Sequence, residues 1–253
     1  MTENKTSKVK QRYALLDSLR GLALINMIIY HGAWNMVYIY GFEWDWYRGR
    51  EAYLWQQSIC WTFILLSGFC WSMGKSHLKN GVLVFGGGLL VTAVTLLVMP
   101  SNRVISGVLT CIGSCILLLI PLERFLRKLP PSWGGIVGFF LFLLTRGANG
   151  GYLGIGGIRL VELPEGWYQG VLGIWMGFPH PGFYSTDYFS ILPWFFLFLT
   201  GYFLYQLCQK RGWLQKKIVQ VGVPGLETLG RNSLLIYLLH QPILYLVGNI
   251  AWA

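Results

Sequence analysis

Residues 16–31 read Leu-Asp-Ser-Leu-Arg-Gly-Leu-Ala-Leu-Ile-Asn-Met-Ile-Ile-Tyr-His, LDSLRGLALINMIIYH, with a cation at Arg20 and an imidazole at His31. Between the two there is no charge at all. Eleven positions along an α-helix amount to about 1,100°, three turns and roughly 20°, so Arg20 and His31 share a face about 16 Å apart along the axis. An apolar run of this length is long enough to cross a hydrocarbon core, and an ionisable residue deep within it is costly, which makes His31 a functional candidate.

The rest of the chain has the same character. Of its 253 residues, 54% are hydrophobic and only 12% charged, about half the charged fraction of a soluble domain. The pattern predicts an all-α, polytopic transmembrane helix bundle of about seven spans, near 15–40, 52–74, 81–99, 105–121, 131–147, 188–208 and 233–252. The fifth has the shortest clean apolar run, Trp133 to Thr145. The Gly-rich stretch 147–187 reads as a long extracytoplasmic loop whose run Val171–Phe178 lies at the interface or folds back over the bundle. Residues 1–12 read as a basic cytoplasmic tail, and residues 1–253 as a single membrane domain.

Charge placement sets the orientation. With the N-terminus cytoplasmic, only Arg48, Arg50, Arg103, Arg146 and Arg159 of the 20 Lys and Arg residues fall on the outer side, as the positive-inside rule requires. The basic residues sit in short loops between apolar runs rather than on a basic helix, which argues against nucleic acid as a partner. Cys60, Cys70, Cys111, Cys115 and Cys208 lie in or beside apolar runs without paired spacing, so neither disulfides nor a metal site is expected. Aromatic and acidic residues crowd the outer loops 41–51 and 147–187, among them Trp44, Trp46, Tyr168 and Trp175. They suit an aromatic belt, or equally a surface on which a sugar stacks.

The candidate chemistry falls in three places. Neutral His31 could take a proton from an attacking hydroxyl or amine, and Arg20 could hold phosphate oxygens, although Asp17 three residues earlier is also a natural ion-pair partner. In the last span, Arg231, Asn232 and Ser233 lead into His240, Gln241 and Pro242, where the proline is expected to kink the helix and His240 to line the same cavity as His31. Asp187 precedes the sixth span, either capping it or facing an acceptor arriving from outside. His77 and His180 carry no assigned role.

The strings LDSLRGLALINMIIYH, WTFILLSGF, SGVLTCIG, DYFSILPWFFLFLTGY and LGRNSLLIYLLHQPIL, in this order, resemble the bacterial branch of the heparan-α-glucosaminide N-acetyltransferase catalytic-domain family from residue 12 to about 245. The last two strings are the most specific. The Arg, ten residues, His spacing is also similar to that of the acyltransferase-three family. The resemblance implies an acyl-CoA-dependent membrane acetyltransferase in the cell membrane. It would pass an acetyl group from cytosolic acetyl-CoA to a cell-envelope glycan or amino sugar outside, with membrane lipid around it and a second copy of the chain as a candidate partner. His31, His240 and Asp187 would then be catalytic, and Arg20, Arg231, Asn232 and Gln241 would hold the CoA donor. The chain departs from related bacterial members at Thr110, where those often have His. A proton-coupled transporter or flippase using His31 and His240 as a relay is the alternative from a different class, and a non-catalytic relative is another.

Overall fold

The computed structural model describes residues 13–252; the basic tail 1–12 lies outside the described residues. Seven long helices alternate in direction: α1 (Ala14–Tyr38), α2 (Arg50–Trp71), α3 (His77–Val98), α4 (Val108–Leu126), α5 (Pro131–Thr145), then α7 (Ile191–Lys210) and α10 (Ser233–Trp252). Between α5 and α7 lies a short α6 (Gly170–Met176), and between α7 and α10 lie α8 (Lys217–Gln220) and α9 (Pro224–Arg231). Each expected span coincides with one long helix. By length and composition, α3, α4, α7 and α10 are the four among the described residues long and apolar enough to cross a membrane. α1 and α2 carry too much polarity along their length and α5, at 15 residues, is too short to join them on that criterion.

Two features depart from the sequence reading. α4 runs on through Pro121 to Leu126, because the proline ring faces outward and is exposed, so only one helical hydrogen bond is forfeited. The fold is also not purely helical. In the 147–187 segment, β1 (Tyr152–Ile155) and β2 (Ile158–Glu162) pair antiparallel around Gly156 and Gly157, both at positive φ, the conformation a two-residue hairpin turn demands. α6 does fold back onto the bundle: Trp175 Nε1 donates to Ser114 Oγ on α4 at 3.0 Å, and the Tyr188 hydroxyl donates to Ile174 O.

The helices pack as close pairs: α3 with α4, α5 with α7, α2 with α7, and α1 with α9. Glycines make three of these pairs possible, since a Cβ at Gly88 or Gly113, at Gly68 or Gly201, or at Gly21 or Gly230 would run into the partner backbone. Such small-residue contacts are how apolar helices gain packing when there is no water to expel. The main core gathers Cys111, Cys115, Phe142, Leu197, Phe198 and Tyr202 between α4, α5 and α7. The α9 segment, unforeseen as a helix, starts at Pro224 and is held against α1 by the Val223 N–H donating to Ser18 Oγ at 2.9 Å. It brings Arg231 to the first turns of α1, and α10 then rises parallel to α1.

Candidate functional site

α1 and α10 meet at a pair of imidazoles. The rings of His31 and His240 lie 4.9 Å apart, centroid to centroid, and one turn along, Gln241 Nε2 donates to Asn35 Oδ1 at 2.9 Å. Asn35 follows His31 by four residues, so both project from the same strip of α1. His240 Nδ1 is 2.5 Å from the carbonyl oxygen of Tyr237. A carbonyl can only accept, so Nδ1 carries the proton, and in the neutral ring Nε2 is left with its lone pair free. That Nε2 is buried and without a partner among the described residues, as are Asn35 Nδ2 and Gln241 Oε1. Three such atoms in one place is unusual, because a buried polar atom left unbonded costs about 1–3 kcal/mol. The arrangement is built to receive a polar group.

Tyr237 extends the site toward the loop before α7. Its ring packs 5.3 Å from that of His240, and it shares with Asp187, Gly88 and Gly107 the lining of a cavity of about 10 Å³, room for about one water. Asp187 Oδ2 accepts from the N–H of Val108 at 3.4 Å, so the helix it caps is α4 and not the sixth span that it precedes in sequence. The reason is that the loop carrying Asp187 pairs with the segment before α4, through Phe189 N–H to Ser106 O and Ile105 N–H to Ser185 Oγ. With that single hydrogen bond and no ion pair among the described residues, burial pushes the Asp187 carboxyl up to about 6. Thr110, one turn into α4, lies under Gly88 with its hydroxyl buried and unbonded.

The residues expected to hold the CoA donor do not gather in one place. Arg20 and Arg231 converge on Asp17: Arg20 reaches it at 3.3 Å and also donates to Cys70 Sγ at 3.0 Å, while Arg231 lies 3.8 Å from Asp17 and 2.5 Å from Glu227. Two cations here face two carboxylates. Asn232 is exposed and its amide donates back to Thr228 O, so it closes α9 instead of facing the imidazoles. Gln241 belongs to the imidazole centre. Tyr237 is the site residue that sequence reading missed, and its position one turn before His240 was the available signal. Asn35 takes its role from the i, i+4 step from His31.

A bundle of helices, four of them among the described residues long and apolar enough to cross a membrane, closes around unpaired polar groups and defines a helical protein with an internal polar centre. The chain belongs to the family described as heparan-alpha-glucosaminide N-acetyltransferase, catalytic, whose model matches residues 12–242. This is a family of acetyltransferase type, and the match spans α1 through His240 and Gln241 to Pro242. No curated protein and no solved structure matches the chain.

Proposed function

We propose that the chain is a multi-pass membrane acetyltransferase with seven spans and a cytoplasmic N-terminus. It carries an acetyl group from acetyl-CoA to a glycan or amino sugar on the far side of the cell membrane. The family supports the reaction type, and four apolar helices together with the charge asymmetry support the membrane setting. The observation that carries the reading is the imidazole pair of His31 and His240 with the unbonded Nε2.

The chemistry follows from the hydrogen bonding. Nε2 of His240 takes the proton from the acceptor hydroxyl or amine as that oxygen or nitrogen attacks the thioester carbonyl. The new C–O or C–N bond forms, the C–S bond breaks, and the proton passes to the departing CoA sulfur. Sequence spacing alone put the base at His31. The fixed tautomer of His240 favours placing it there instead; the proton taken up by His240 Nε2 passes to the neighbouring His31 ring, 4.9 Å away, and from there to the departing sulfur, which leaves both imidazoles neutral again. Asn35 and Gln241 supply the donor and acceptor that orient the reacting groups, and Asp187 stands on the acceptor side.

Purified protein in lipid nanodiscs, given radiolabelled acetyl-CoA and envelope glycan fragments, tests the reading. Transfer by the wild type and its loss in His240→Ala at unchanged folding is the expected result. A His240→Ala protein that transfers acetyl at the normal rate would overturn it.

A further inference from the structure

A second cleft opens at the end of the bundle where α1 begins. It has a volume of about 640 Å³, well inside the range of small-molecule sites. Its walls are the ends of α2, α4 and α7 and the starts of α3 and α5, and none of the residues discussed above as catalytic or donor-binding lines it.

Four features of this cleft point to one ligand chemistry. Trp71 and His77 stack face to face, 3.9 Å apart and within 10° of parallel. The indole is held in place by its N–H donating to Ile116 O at 3.3 Å, so the plate is fixed rather than collapsed. Tyr202 lines the cleft edge-on to Trp71 at 5.7 Å; it is 1% exposed, and its buried hydroxyl, with Gln206 its polar neighbour, meets no well-formed hydrogen bond among the described residues. Two cations stand at the rim: Arg127, whose side chain is 72% exposed and touches Glu123 only at 3.7 Å, and Lys210, which has no ion pair among the described residues.

We propose that this cleft binds a purine nucleotide, with the base against the Trp71–His77 plate, a ring or ribose polar atom on the Tyr202 hydroxyl, and the phosphates on Arg127 and Lys210. Flat aromatic surfaces take any base through its π-face, and a guanidinium with free donors matches phosphate oxygens. A phospholipid headgroup would use the cations but leave the plate and the buried hydroxyl without purpose. The Arg20–Arg231 cluster is the poorer phosphate site, because Asp17 and Glu227 already neutralise it. The same chemistry is offered by free nucleotide and by the adenosine end of a CoA thioester, and the inference stands apart from the acyl-transfer reading.

The test uses the full chain in neutral phosphatidylcholine nanodiscs, with binding followed by calorimetry for ADP, CoA, 4′-phosphopantetheine and inorganic phosphate. ADP and CoA should bind at least ten-fold tighter than the two probes that lack the base. Trp71→Ala should weaken ADP at least ten-fold. Arg127→Gln with Lys210→Gln, both on exposed side chains, should weaken it about ten-fold and flatten its salt dependence. Tyr202→Phe should weaken it several-fold. CoA tighter than ADP assigns the cleft to the donor's nucleotide end, and ADP tighter than CoA assigns it to free nucleotide; either supports the site. His240→Ala protein should bind ADP as the wild type does, which separates this inference from the fate of the transferase reading. ADP binding no tighter than inorganic phosphate, or unchanged in the folded Arg127→Gln, Lys210→Gln protein, would overturn it.

Discussion

The imidazole centre and the arginine cluster are both built on α1, some 16 Å apart along one helix, yet they solve opposite problems. At the cluster, every charge has met its opposite: Arg20 and Arg231 share Asp17, and Glu227 takes the remaining side of Arg231. At the imidazole centre the groups are neutral and three of their polar atoms have met nothing. A compensated ion network holds helices in place, which is what α9 needs to lie along α1. An uncompensated set of neutral dipoles is a poor fastener and a good receptor. The contrast breaks most visibly if His240 is removed. His240→Ala should lower transfer by about 10²–10⁴-fold, the usual worth of a positioned base, with little change in thermal stability; an equal loss from Arg20→Gln at saturating donor would place the chemistry at the wrong end of the helix.

The next largest effects are on stability, and they should differ in sign between the two regions. Asp17→Asn leaves two arginines facing one carboxylate in a partly buried setting and should cost about 1–3 kcal/mol, seen as a lower unfolding temperature in detergent. Replacing Asn35 and Gln241 together by Leu removes two unbonded atoms and one hydrogen bond, and should leave stability unchanged or raise it by about 1 kcal/mol while abolishing transfer. A large destabilisation from the double replacement would mean that the pair is a fastener after all, and the distinction between the regions would fail.

Much of this was legible in the sequence, for reasons that can be named. The seven long helices follow from apolar runs bounded by Gly, Pro and charge, and the Arg20–His31 register follows from helical periodicity alone. The meeting of His31 with His240 was anticipated as a shared cavity lining, but its register was not, because it depends on α10 running parallel to α1 after the reversal at Asn232. Three things were out of reach. α9 is only eight residues with charged ends, so it read as loop until its glycine contact with Asp17 placed it. Asp187 caps a helix 79 positions earlier in the chain, a pairing no local pattern encodes. The Trp71–His77 plate joins the end of one helix to the start of the next, and looked like two unremarkable residues of a turn.

The smallest expected effect sharpens the boundary of the imidazole centre. The Asp187 carboxyl shares a one-water cavity with Tyr237 and is pushed up to about 6 by its burial, from an ordinary value near 3.8. Between about pH 4 and 6 the folded protein therefore keeps a proton that the unfolded chain has already lost. The native state then binds more protons, and stability falls as pH rises through that window, levelling off above it where both states are ionised. Asp187→Asn keeps an oxygen to accept from the Val108 N–H and removes the titration. Its unfolding temperature should thus vary less than the wild type's between pH 4 and 6.5, with the gap between the two proteins widening in the mutant's favour as pH rises. Melting curves that run parallel across that range would show that Asp187 meets water freely, and would detach the loop before α7 from the centre that Tyr237 otherwise joins it to.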